Sequence, residues 1–71
     1  MNSKLSVLSG QEIVKRLEKF GFTFVRQTGD HLILRRERPP KMTLSVPNHK
    51  QVKKGTLRGI LRQASIKVED F

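Results

Sequence analysis

Residues 22–47, FTFVRQTGDHLILRRERPPKMTLSVP, contain three short segments in which apolar and polar residues alternate. Alternation combined with β-branched and aromatic residues is typical of strands that are buried on one face. The strands are predicted at residues 22–27, 31–36 and 42–46. Turn-forming residues at 28–30 predict a tight connection between the first two strands, and residues 37–41 predict a hairpin loop before the third. Pro47 is expected to end the third strand because it has no N–H to donate.

A helix is predicted on each side of these strands. SGQE at residues 9–12 has the form of a capping box, and apolar residues at helical spacing then predict a first helix at residues 11–20. Gly21 is expected to close this helix in a left-handed conformation. Thr56 is expected to cap a second helix. The apolar stripe of that helix is Leu57, Ile60, Leu61 and Ala64. Residues 65–71 predict a short terminal helix or an ordered tail.

The order α-β-β-β-α predicts an α+β fold, in which a three-stranded antiparallel sheet carries both helices on one face. A chain of 71 residues has room for one core, so we expect a single domain at residues 1–71. The same order of elements occurs in double-stranded RNA-binding domains. If Leu32 and Leu34 face the helices, His31 lies on the opposite, more polar face of the sheet. Three phenylalanines are expected to pack in the core rather than stack on bases: Phe20, Phe22 and Phe24.

The charge of the chain favours a polyanionic partner. Lysine and arginine total 15 against six acids, which gives a formal net charge of +9. Residues 26–62 contain ten of these cations and only two acids, Asp30 and Glu37. Each cation taken alone is most simply a solvated surface charge, but such a concentration favours binding to a nucleic acid.

Several classes of protein are not favoured by this composition. The chain has no cysteine, so it has neither a disulfide framework nor a thiolate zinc site. No cluster of acids suggests another metal, and no motif suggests a cofactor. Residues 1–8 lack the pattern of a signal peptide, and no segment approaches the ~20 apolar residues that cross a bilayer. We therefore expect a cytoplasmic protein with no membrane partner.

The sequence resembles the HicA family of messenger-RNA interferases over nearly its whole length. The matching segments are SGQE at 9–12, LEKFGF at 17–22, RQTGDH at 26–31, VPNH at 46–49 and KKGTLRGILRQA at 53–64. The match departs at Asp30, where many members of the family have serine or asparagine. The resemblance implies a metal-independent endoribonuclease that is the toxin of a type II toxin–antitoxin system. It further implies messenger RNA as the substrate, a HicB-like antitoxin as the partner, and a catalytic histidine that corresponds to His31.

The residues are compatible with this chemistry. RNA carries its own nucleophile, the 2′-hydroxyl, which an imidazole can activate as a general base without a metal or a cofactor. The candidate RNA-binding residues are Arg35, His49, Lys50, Lys53, Lys54 and Arg58. Among them, Arg35, Lys53 and Lys54 are candidates to stabilise the charge that develops on the phosphate. Residues 53–56 form either an anion site at a helix N-terminus or an ordinary basic helix start.

The sequence allows alternative interpretations of His49 and of the function. His49 is either a general acid or phosphate ligand, or a structural residue that hydrogen-bonds to the sheet, and the sequence favours neither interpretation. The function as a whole also has alternatives. A non-catalytic RNA-binding module would have the same fold and charge, and a protein that recognises an acidic partner would have the same positive surface. The catalytic role of His31 distinguishes the first interpretation from the other two.

Overall fold

The computed structural model describes residues 7–71 and has the predicted order of elements. The elements are α1 (Gly10–Glu18), β1 (Thr23–Thr28), β2 (His31–Arg36), β3 (Met42–Pro47), α2 (Lys54–Gln63) and a short 3₁₀ helix (Val68–Asp70). The three strands form one antiparallel sheet in the order β1-β2-β3, so the chain has the predicted α+β fold. Residues 1–6, which belong to the predicted domain and to the segment without a signal-peptide pattern, lie outside the described residues.

The capping box at the start of α1 is confirmed. The Ser9 hydroxyl accepts from the Glu12 N–H at 3.1 Å, and the Ser9 N–H donates to the Glu12 carboxylate at 2.8 Å. The second hydrogen bond lowers the pKa of the Glu12 carboxyl below its ordinary value. The helix ends at Glu18, two residues earlier than predicted, and Gly21 has the expected positive φ of 92°.

The predicted cap of α2 is wrong. The helix begins at Lys54, and Lys53 is its N-cap residue but makes no capping hydrogen bond through its side chain. Thr56 therefore lies inside the first turn. The start of the helix is set by longer-range structure, because the Val52 N–H donates to the Leu8 carbonyl at 2.8 Å and Leu57 is buried in the core. These interactions outweigh the local preference of threonine for a cap position.

One hydrophobic core lies between the inner face of the sheet and the two helices. Its largest fully buried members are Phe22, Ile13, Leu17, Leu34, Leu44, Leu57 and Leu61. Residues from both helices join Leu32 and Leu34 in this cluster, so both helices cover the same face, as predicted. His31 is exposed on the other face, also as predicted. Within residues 7–71, no helix combines the length and the apolar character needed to span a membrane.

A β-bulge interrupts β1, the edge strand on which a second prediction is wrong. Phe24 lies opposite Leu34, but Arg26 lies opposite Ile33, so Val25 is an extra residue without a partner on β2. Because β1 is an edge strand, it has a neighbouring strand on one side only, and side chains on its helix-facing side are covered from that side alone. Phe24 therefore remains 50% exposed and is not a core residue, whereas Phe22 is buried and Phe20 is partly buried against the core.

Candidate nucleic-acid interface

His31 lies at one end of the sheet, where the first two strands meet. It is the first residue of β2 and pairs with Thr28 across the turn and with Pro47 on β3. The side chain is exposed on the face opposite the helices. The Asn48 N–H donates to the Asp30 carbonyl at 2.6 Å, which fixes the chain after β3 against the turn that precedes His31. An exposed imidazole is thus presented from the end of a strand that is paired on both sides.

The chain from Asn48 to Lys53, which we call the connector, is also tied to the start of α1. The Gly10 N–H donates to the His49 carbonyl at 2.9 Å. A Cβ atom on Gly10 would meet the Pro47 carbonyl oxygen and lie 3.0 Å from the Asn48 Cα, so the two backbones are in close contact. A cleft of about 210 Å³ opens beside this junction. It is lined by Ser9, Gln11, Asn48, His49 and Lys50.

The backbone of His49, rather than its imidazole, anchors the connector. Its carbonyl group accepts the hydrogen bond from Gly10, while the residue as a whole is exposed and lines the cleft. This hydrogen bond joins the connector to α1, whereas the connector is tied to the β1–β2 turn by the Asn48 N–H. The side chain is left at the cleft, on the same connector as Lys50.

Cations line the path from the connector into α2. Lys50 and Lys53 are exposed on the connector, Lys54 is the first residue of α2, and Arg58 lies one turn later on the same face of the helix. No acidic residue occupies the first turn of α2. The N–H groups at the start of this helix and the flanking lysines therefore produce a positive field that favours an anion.

Arg35 is not brought to His31. The two residues share the outer face of β2 but are four positions apart, which corresponds to roughly 13 Å along a strand. Arg35 lies opposite Thr23 and Thr43, and its guanidinium is 3.8 Å from the Glu37 carboxylate. At this position it does not stabilise charge at a phosphate that touches His31, so any contact of Arg35 with RNA would be a separate one.

A groove of about 320 Å³ between α1 and β1 was not predicted from the sequence. It is lined by Gln11, Val14, Lys15, Phe24, Gln27 and Leu32. The groove lies where α1 packs against the edge strand β1, and no local sequence pattern signals this packing. Among the residues of the described part of the chain, no group of three histidine or acidic side chains is placed to hold a metal ion.

The fold and this surface define a class of protein: a small, basic α+β domain with an exposed histidine at one end of its sheet, next to a lysine-rich connector. The sequence model of the HicA toxin of bacterial toxin–antitoxin systems matches residues 10–66. The chain therefore belongs to the HicA toxin family, as the resemblance predicted. Membership supports a toxin role and implies an antitoxin as partner. Comparisons with curated proteins and with solved structures found no match.

Proposed function

We propose that this chain is a metal-independent endoribonuclease that cleaves messenger RNA in the cytoplasm and is neutralised by a HicB-like antitoxin. The observation that carries the proposal is the position of His31 in a chain of the HicA toxin family. The side chain is exposed at the end of a rigid strand, and the Asp30–Asn48 hydrogen bond holds the connector beside it. A general base needs this combination of accessibility and fixed position.

The proposed reaction uses the nucleophile of the substrate. His31 accepts the proton of a 2′-hydroxyl while its oxygen forms a bond to the adjacent phosphorus, and the bond from phosphorus to the 5′-oxygen breaks. The products are a 2′,3′-cyclic phosphate and a 5′-hydroxyl, whose proton comes from water or from a protonated His49. Negative charge develops on the phosphate oxygens, and Lys50, three residues after the Pro47 that pairs with His31, is proposed to stabilise it.

RNA binding is assigned to the connector and to the start of α2. Lys53, Lys54 and Arg58 extend the positive surface away from the cleft, and each is exposed. Lysine and arginine side chains bind phosphates without reading sequence, so these residues are proposed to hold the RNA backbone while His31 acts on one linkage. The antitoxin is proposed to present carboxylates to the same surface and to inhibit by covering His31.

Removal of metal ions tests the proposed chemistry. We expect the purified chain to cut messenger RNA at an unchanged rate in excess EDTA, because the attacking hydroxyl belongs to RNA and the base is an imidazole. Gel analysis of a labelled transcript measures the rate with and without EDTA. Loss of cleavage on chelation would contradict the mechanism, and RNA binding without any cleavage would instead favour the non-catalytic RNA-binding module.

The two lysines where the connector meets α2 are expected to control the salt dependence of RNA binding. Affinity for RNA falls as salt rises, so the slope of log affinity against log salt is negative. Replacing Lys53 and Lys54 with alanine should reduce the magnitude of this slope by about 1.4, since each phosphate contact on a single strand contributes about 0.7. Filter binding at several salt concentrations measures this slope. The control, Lys19→Ala with Lys41→Ala, removes the same charge elsewhere. Lys19 follows the end of α1 and Lys41 ends the β2–β3 loop, and both positions lie away from the connector. Equal slopes for the two double variants would show that the connector is not a phosphate site.

A further inference from the structure

The groove between α1 and β1 exposes an aromatic ring that is not part of the hydrophobic core. Phe24 is 50% exposed, whereas Phe20, Phe22 and Phe71 are buried or partly buried. An exposed aromatic side chain in the lining of a groove is typical of a binding site.

This groove adjoins the cleft beside the connector. Gln11 lines both the groove and the cleft that contains His49 and Lys50. On the sheet, Gln27 and Leu32 line the groove and lie opposite each other, and the next residue pair is Thr28 with His31. The groove and His31 are on opposite faces, but they meet at the same end of the sheet. A single strand that passes around the β1–β2 turn would contact both.

The chemistry of the groove suits a nucleobase. Phe24 supplies an aromatic face, and Val14 and Leu32 supply apolar walls. The amide of Gln27 is held in place because its Nε2 donates to the Gly29 carbonyl at 3.0 Å, which leaves its oxygen free to accept. The Gln11 amide offers both a donor and an acceptor. Stacking on an aromatic ring together with hydrogen bonds from amides is how proteins recognise unpaired bases.

The charge around the groove favours a nucleotide over an apolar peptide segment. Among residues 7–71, the groove lining has one charged side chain, Lys15, and no acid. An RNA strand that places a base on Phe24 would bring its phosphates close to Lys15 and, beyond Gln11, to Lys50. We propose that the Phe24 groove binds an unpaired base of the RNA substrate, close along the strand to the linkage that is cut. This inference rests on the proposed function and adds a specificity subsite to it.

Binding of an RNA that cannot be cut tests the subsite separately from catalysis. A single-stranded 2′-O-methyl oligonucleotide lacks the attacking hydroxyl, so its affinity reports binding alone. Phe24→Ala is expected to weaken binding of this oligonucleotide roughly 5- to 150-fold, the usual effect of removing one stacking ring. Phe24→Leu should also weaken binding because it keeps apolar bulk without an aromatic face, whereas Phe24→Tyr should preserve it. Val25→Thr is the matched control, because Val25 is exposed on the same strand but does not line the groove.

The outcomes separate this inference from the function on which it rests. Circular dichroism first establishes that each variant is folded, and if Phe24→Ala is not, the comparison of leucine with tyrosine at position 24 decides. Wild-type cleavage of RNA combined with equal oligonucleotide affinity for the wild type, Phe24→Ala and Phe24→Leu would overturn the subsite and leave the nuclease intact. Loss of antitoxin binding with unchanged RNA binding would also overturn it, since the groove would then be a protein-binding site. A wild-type chain that neither binds nor cuts RNA would overturn both proposals.

Discussion

Replacing His31 with alanine is expected to lower the rate of RNA cleavage by about 10²- to 10⁴-fold, the usual effect of removing a general base. The loss should be confined to the chemical step, because the phosphate-binding residues proposed here lie on the connector and α2. Single-turnover cleavage of one transcript by the wild type and the variant measures the change. Growth inhibition in cells that express each protein should disappear in parallel.

The fold should survive this substitution. His31 is exposed, and substitutions at exposed positions usually alter the free energy of unfolding by only about ±0.5 kcal/mol. Ser45→Ala is a suitable control, because Ser45 is exposed on the same outer face of the sheet, opposite Ile33. It should change neither cleavage nor stability. A folded His31→Ala protein that still binds RNA and cuts it at the wild-type rate would exclude His31 as the base.

Gly10→Ala is expected to have the largest effect on stability among the glycine positions of α1 and α2. The added Cβ would meet the Pro47 carbonyl oxygen and the Asn48 Cα, which are backbone atoms that cannot move aside as a flexible side chain would. Overpacking of this kind typically costs about 1–3 kcal/mol. In a domain of this size each kcal/mol lowers Tm by about 4–8 °C, so thermal unfolding followed by circular dichroism measures it.

Gly59→Ala provides the opposite case within the same chain. Gly59 lies inside α2, and a Cβ atom there would meet nothing within 4 Å. Because glycine is about 1 kcal/mol less favourable than alanine inside a helix, this variant should raise Tm. A Tm for Gly10→Ala equal to or above that of the wild type would show that Gly10 is not required for the contact between α1 and the connector.

Much of the fold could be predicted because its signals are local. The capping box at residues 9–12 fixed the start of α1 to within one residue, and alternation located all three strands to within one residue at each end. The start of α2 was missed because it depends on the pairing of Val52 with Leu8, more than forty residues apart in sequence. A cap preference at Thr56 carries no information about such a contact.

The candidate site was predictable only where it depends on local sequence signals. Alternation on β2 placed His31 on the exposed face, but its proposed catalytic role came from the family resemblance and not from its spacing. The connector is positioned by backbone hydrogen bonds from Asn48 to Asp30 and from Gly10 to His49. Backbone hydrogen bonds do not require a particular side chain, so the sequence does not indicate them. The exposure of Phe24 follows from the position of β1 at the edge of the sheet, which the alternation of β1 does not reveal. Contacts of this kind can be identified only in the folded structure.

The most direct test of His31 as the base that activates a 2′-hydroxyl uses an RNA whose cleavage position has been mapped. Replacing the 2′-hydroxyl at that position with hydrogen removes the nucleophile and leaves the rest of the RNA unchanged. The cleavage rate at this linkage is measured for the wild type on both RNAs and for His31→Ala on the unmodified RNA. We predict efficient cleavage only by the wild type on the unmodified RNA, with a 2′,3′-cyclic phosphate at the new end. Cleavage of the deoxy linkage by the wild type, or of the unmodified linkage by His31→Ala, at an undiminished rate would contradict the mechanism.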